Sequence, residues 1–166
     1  DGIVDKDGEP LKLTIWTLVD PRLGEAMQAQ LRDVGVDAEL FFHTGGPLRM
    51  EKARSGDFGL MWLRWTSTDP GILRVLWHSG QIGAWNFALL NDPAIDEALD
   101  KGGAAGTWDE RCGYYETVQR LLMEQAVVIP INTTPQIIGL DAKVKGLVMD
   151  RSGDWAPDFY DVYVED

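Results

Sequence analysis

Residues 11–42 read LKLTIWTLVDPRLGEAMQAQLRDVGVDAELFF, and the fold is decided here. Residues 11–18 are β-branched and apolar and follow the turn-like Asp7-Gly8-Glu9-Pro10, which predicts a strand. Asp20-Pro21 then reads as an N-cap and the first helical residue, where the amide that proline lacks would be orphaned anyway. Leu23, Ala26, Met27, Leu31 and Val34 fall on one helical face, and Gly35 is a good stop. In residues 36–42, Val36, Ala38, Leu40 and Phe42 alternate against Asp37 and Glu39, the period of a second strand. Strand, helix and strand in that order predict a βαβ unit with a right-handed crossover.

Working outward, residues 43–47 are a loop and 48–54 a short helix, ended by Ser55-Gly56-Asp57. The run FGLMWLRW at 58–65 is nearly all apolar. It predicts a strand covered on both faces in the middle of a parallel sheet, with Trp62 in the core. Asp69-Pro70 opens a helix to about His78, and Asp92-Pro93 opens another over 94–101. Residues 102–106 are the softest connection. Thr107-Trp108-Asp109-Glu110 has the capping-box form and heads a helix to about Gln125. Late strands are expected at 127–131 and 136–140, with a third at 145–149. The expected class is α/β: residues 1–166 form a single lobe, a mixed, mostly parallel sheet flanked by helices.

With 166 residues the chain is about one domain long. Hydrophobic residues at 45% and charged residues at 25% give the balance of a globular core rather than of a disordered chain. The formal charge of −12 opposes nucleic acid and anionic membrane surfaces as partners, since both need a basic face. The apolar runs fall far short of a membrane span. One cysteine, Cys112, excludes an internal disulfide and a thiolate metal cluster. The chain opens at Asp1 without Met or leader, so a mature chain or an excised piece is expected.

Catalytic patterns are missing. There is no G-x-S-x-G elbow, P-loop or H-E-x-x-H. His43 and His78 are the only histidines and lie far apart in sequence. The carboxylates Asp92, Asp96, Glu97, Asp100, Asp109 and Glu110 read as solvated helix faces and helix starts. No catalytic residue, metal site or cofactor is expected.

Seven tryptophans stand out. Indole combines a large apolar face with an N–H that needs a partner, which suits half-exposed pockets. Trp62 and Trp65 end the apolar run, and Trp85 sits in the loop after the next helix. Open α/β sheets bind ligands outside the carboxyl ends of their strands. Arg64-Trp65-Thr66-Ser67-Thr68-Asp69 offers there a cation, an aromatic face, hydroxyls and a carboxylate. The residues alone also leave open a small, hydrolase-like α/β enzyme with unrecognised motifs, or a stand-alone interaction domain.

The ordered string Gly56-Asp57-Phe58, Trp62, Trp65, Asp69-Pro70, Leu73, Trp77-His78-Ser79 and Trp85-Asn86 resembles a known family. It is that of the extracellular solute-binding proteins for peptides and nickel (family 5), which feed ABC importers. Asn91-Asp92-Pro93-Ala94-Ile95-Asp96 resembles the family's N-P-x-x-D helix start with one residue inserted. Asp109-Glu110-Arg111, Tyr115, Gln119, Leu122, Glu124 and Val128-Ile129-Pro130 resemble its next helix and strand. Upstream, Gly8-Glu9-Pro10-Leu11 and Leu31, Val34-Gly35-Val36 resemble the start of its second lobe. The similarity runs over residues 8–165.

The resemblance implies one lobe of a periplasmic-binding-protein type II fold, the carboxyl-side lobe of a larger two-lobe protein whose amino-side lobe is missing here. It further implies non-catalytic capture of a polar small-molecule or peptide-like solute and delivery to an ABC permease. The full-length protein would be periplasmic or extracellular and anchored to the membrane as a lipoprotein. On this reading Arg64 supplies charge and Trp65 and Trp85 supply stacking surfaces. Thr66, Ser67 and Asn86 give hydrogen bonds, and Thr17 and Thr44 end the first two strands beside them. One departure matters: peptide binders of the family carry W-x-x-D-Y before the D-P, and their Asp takes the peptide's ammonium. Thr66 stands at that position, and a neutral hydroxyl cannot pair an ammonium as a carboxylate does. The absence of clustered histidines speaks against nickel.

Overall fold

The first expected strand forms as β3 (Lys12–Thr17) in the computed structural model of the chain, which describes residues 2–17, 21–42, 46–133, 135, 137–149 and 157–165. They group into two units, Asp1–Arg64 with Leu76–Asn91, and Trp65–Val75 with Asp92–Asp166.

In the first unit a short antiparallel pair, β1 (Asp5–Lys6) and β2 (Glu9–Pro10), precedes β3. Helix α1 (Pro21–Asp33) follows, then β4 (Asp37–Phe42), which runs parallel to β3 from Lys12↔Asp37 to Thr17↔Phe42. The βαβ reading of the sequence therefore holds. Gly35 turns the chain between α1 and β4 with φ of 84°, a conformation in which any side chain would be strained. Inside, Ile15, Trp16, Val36 and Ala38 are buried, and the Gln28 side chain donates to the Ala38 carbonyl at 2.7 Å. The Trp16 and Phe41 rings sit 4.3 Å apart. Helix α2 (Pro47–Ser55) forms as expected and ends at Gly56 in the left-handed region.

The run at 58–65 departs from its reading. Only β5 (Leu60–Met61) is strand, parallel to β3 through Ile15↔Leu60 and Trp16↔Met61, and the sheet order is β4-β3-β5. The central strand is thus β3, and β5 is an edge. One further bond, Trp62 N to the Trp16 carbonyl at 2.8 Å, closes the pairing before the chain leaves the sheet. Trp62 is half-buried and residues 63–69 are exposed. An apolar run becomes a central strand only where partners cover both edges, and β3 pairs with this run for just those few residues.

In the second unit the two capping readings hold. Asp92 accepts from the amides of Ala94 at 2.7 Å and Ile95 at 3.3 Å and starts α4 (Pro93–Ala104). Thr107 accepts from the Glu110 amide at 3.3 Å and starts α5 (Trp108–Glu124). Ile95, Ala98, Leu99 and Gly102 of α4 and Tyr115, Val118 and Leu122 of α5 are buried, at the spacing of facing helical stripes. Gly102 is not part of a soft connection. A methyl group there would lie 3.3 Å from the Tyr114 Cβ and from the Tyr115 ring, so glycine lets α5 come close. The helix consequently runs on to Ala104. Helix α3 (Ile72–Trp77) starts later than Asp69-Pro70 suggests.

The late strands differ as well. Residues 127–131 and, among those described, 137–140 pair with nothing as strand. The chain instead forms β6 (Val144–Lys145), β7 (Val148–Met149), β8 (Pro157–Asp158) and β9 (Tyr163–Val164), in antiparallel pairs β6-β9 and β7-β8. No helix among the described residues is long and apolar enough to cross a membrane.

Candidate functional site

The first unit holds Thr17, Arg64, Trp85 and Asn86, and the second holds Trp65, Thr66 and Ser67. Thr44, with its neighbour His43, and the expected cap Asp20 lie outside the described residues.

Two of the expected contact residues, Asn86 and Thr17, are buried. Asn86 is 1% exposed, and its amide is spent on backbone. Its Nδ2 donates to the carbonyls of Leu90 at 2.8 Å, His78 at 3.1 Å and Trp77 at 3.4 Å, while its Oδ1 accepts from the Leu90 amide at 3.0 Å. Buried backbone groups need partners, and Asn86 supplies them where the chain has no regular structure. It pins the loop through these bonds. Thr17 is 3% exposed at the end of β3 and turns its methyl toward Gly24 of α1, so it packs inside the first unit.

Arg64, Trp65, Thr66 and Ser67 are all exposed, with Trp65 at 41%. Trp85 is 39% exposed, and its ring lies 5.9 Å from that of buried Phe87. The Trp85 indole is thus partly packed and partly exposed, as suits a residue with an apolar face and a polar N–H. The Ser67 hydroxyl accepts from the Asp69 amide at 3.1 Å and donates to the Asp69 carbonyl at 3.0 Å, so it closes its own turn. Thr66 and Thr68, on either side of Ser67, are exposed.

Asp69 does more than its sequence reading as a cap. One carboxylate oxygen accepts from the Gly71 amide at 2.6 Å and from Nη2 of Arg111 at 2.6 Å. Arg111 comes from α5, with its guanidinium 5.5 Å from the Tyr115 ring and 6.0 Å from that of Trp108. The Gly71 amide chiefly holds the Asp69 carboxyl below the usual carboxylate range, against the opposing effect of burial and with Arg111 adding to the lowering. Arg111 in turn is held charged chiefly by Tyr115 and then by Asp69. Nothing local in the sequence pairs Asp69 with an arginine 42 positions away.

Asp92 is likewise lowered, first by Gln125 and then by the α4 amides. The Asp92 carboxylate therefore supports the start of α4 in its ionised form. Its contribution is complete above an ordinary carboxylate value of about 3.9 and is lost as the pH falls through the lowered value. A plot of melting temperature against pH should decline on that acid limb. Asp92→Asn should make that decline shallower, and an unchanged limb would show that its ties are not formed in solution.

Among the described residues no group of three His, Cys, Asp or Glu is placed to hold a metal ion.

No family model matches the chain. The chain is 30% identical over 132 residues to a Pseudomonas aeruginosa protein named "Probable di/tripeptide-binding protein 5", a match covering 72% of the chain and 25% of that protein. Its fold matches a dipeptide-binding protein from Pseudoalteromonas sp. SM9913, solved with Met-Leu, with a TM-score of 0.73 and 18% identity, over 93% of this chain and 32% of that one. It also matches NikZ from Campylobacter jejuni, solved with Ni(L-His), with a TM-score of 0.66 and 25% identity, over 76% of this chain and 27% of that one. The chain thus spans about a quarter to a third of the proteins it matches. Two of the three are named as peptide-binding proteins, and the third was solved holding Ni(L-His). The resemblance read from residues 8–165 is borne out: in sequence and in fold this chain is similar to a part of the peptide- and nickel-type periplasmic solute-binding proteins.

Proposed function

We propose that residues 1–166 are the carboxyl-side lobe of a two-lobe solute-binding protein that captures a peptide-like solute without catalysis and presents it to an ABC permease. The observation that carries this reading is the fold match to a dipeptide-binding protein over 93% of the chain, supported by the 30% identity to a di/tripeptide-binding protein. A periplasmic location, with a membrane anchor on the full-length polypeptide, follows from the same reading.

In such a receptor each lobe lines one side of a cleft, and hinge closure buries most of the solute. The solute contacts kept on this reading are Arg64 and Trp85 in the first unit and, by themselves, Trp65 and Thr66 in the second. A guanidinium and a hydroxyl favour carbonyl and carboxylate groups, and the indoles favour flat or apolar side chains. With Thr66 in place of a carboxylate, the site gains nothing from a free ammonium. The favoured solute is therefore a peptide-like molecule with a masked amino end.

Calorimetric titration of the full-length polypeptide with Met-Leu and with N-acetyl-Met-Leu tests this. The acetylated dipeptide is expected to bind at least as tightly as the free one. Arg64→Ala and Trp65→Ala should each weaken its binding about tenfold, roughly 1.4 kcal/mol, with little change in melting temperature. Loss of stability at unchanged affinity would assign both side chains to the fold instead.

A further inference from the structure

We propose that Arg111 is a positioning residue for solute binding: acting through Asp69, it sets the segment that carries Trp65 and Thr66. The proposal rests on the solute-binding reading and deepens it, naming a residue on α5 that governs the site without touching the solute.

Residues 63–69, between β5 and α3, are exposed. A set of polar bonds orders the carboxyl end of this segment. Ser67 grips the Asp69 amide and carbonyl, the Ile72 amide donates to the Asp69 carbonyl at 3.2 Å, and the Asp69 carboxylate is shared between Gly71 and Arg111. The Arg111 bond is the tie from this turn to a long, well-packed helix. A second tie, Arg74 to Asp100 of α4 at 3.0 Å, holds the start of α3. Gly71 makes the first possible: a Cβ there would lie 2.7 Å from the Asp69 carboxylate oxygen and 3.3 Å from Nη2 of Arg111. An added methyl group would turn the carboxylate away.

The Asp69 side chain is 58% exposed and that of Arg111 27%. A pair so open to water contributes little to global stability. It contributes more to binding, because a segment already ordered has no ordering cost left when the solute arrives. The consequence is a particular signature: affinity falls while the melting temperature holds.

The test uses the full-length polypeptide and four variants: Arg111→Met, Arg111→Lys, Gly71→Ala and, as a control, Arg120→Met. The control removes a pair with Glu124 on the same helix, its arginine more exposed than Arg111. Hydrogen exchange of residues 66–71, measured without solute, should speed up in Arg111→Met and Gly71→Ala and stay at the wild-type rate in the control. N-acetyl-Met-Leu should bind about tenfold more weakly to the same two variants. Arg111→Lys, which keeps the charge but loses the stacking, should recover part of both effects. Unchanged exchange in Arg111→Met overturns the proposal whatever the solute. So does unchanged affinity where the wild type binds the probe. A wild type that binds neither dipeptide overturns the functional reading, and the exchange arm still decides the positioning.

Discussion

Leu99→Ala is expected to lower the unfolding free energy by about 2–5 kcal/mol. Leu99 is fully buried, as are Ile95 and Val118, and Leu122 is 3% exposed. Among the described residues, the buried side chains of the second unit all come from α4 and α5. Removing the isobutyl group leaves a cavity between two helices that are also held by the close approach at Gly102, so neither can collapse freely into the space. Urea unfolding followed by far-ultraviolet circular dichroism would read the change as a lower midpoint at constant slope. A loss below about 1 kcal/mol, the ordinary range of unspecific substitutions, would mean that the helix pair does not share a core.

Asn86→Leu should be nearly as damaging, about 2–4 kcal/mol, because it nearly preserves volume and removes only hydrogen bonds. The Leu90 amide and the carbonyls of Leu90, His78 and Trp77 would all lose a partner in a buried setting. Thermal melting of the variant separates the two roles open to this residue. A large fall in melting temperature confirms the internal staple. A stable protein with weakened solute binding would return Asn86 to the site.

What the sequence revealed was mostly local. Asp92 and Thr107 announce their helices because capping needs only a side-chain oxygen and amides two or three residues on. The alternation at 36–42 names its strand for the same reason. The run at 58–65 was harder, since an apolar run is compatible with a central strand, an edge strand or a loop, and only pairing with β3 decides among them. Residues 127–131 have a strand's composition but, among the described residues, no strand partner. Glycine's poor helix propensity suggested a break at 102–106, whereas close packing against Tyr115 keeps Gly102 helical. In the candidate site, residue type identified exposed polar and aromatic groups at Arg64, Trp65, Thr66 and Trp85. It could not distinguish a hydroxyl or amide open to a solute from one used internally, as at Ser67 and Asn86. The Asp69–Arg111 pair joins positions with no local signal between them.

The proposed receptor, of which this chain would form one side, holds a solute and leaves it chemically unchanged. Native mass spectrometry of the full-length polypeptide, incubated with N-acetyl-Met-Leu and then denatured to release what it holds, distinguishes capture from cleavage. One dipeptide per polypeptide is expected, recovered at its original mass after prolonged incubation. An unloaded polypeptide together with progressive cleavage of the dipeptide would contradict it and point to a hydrolase.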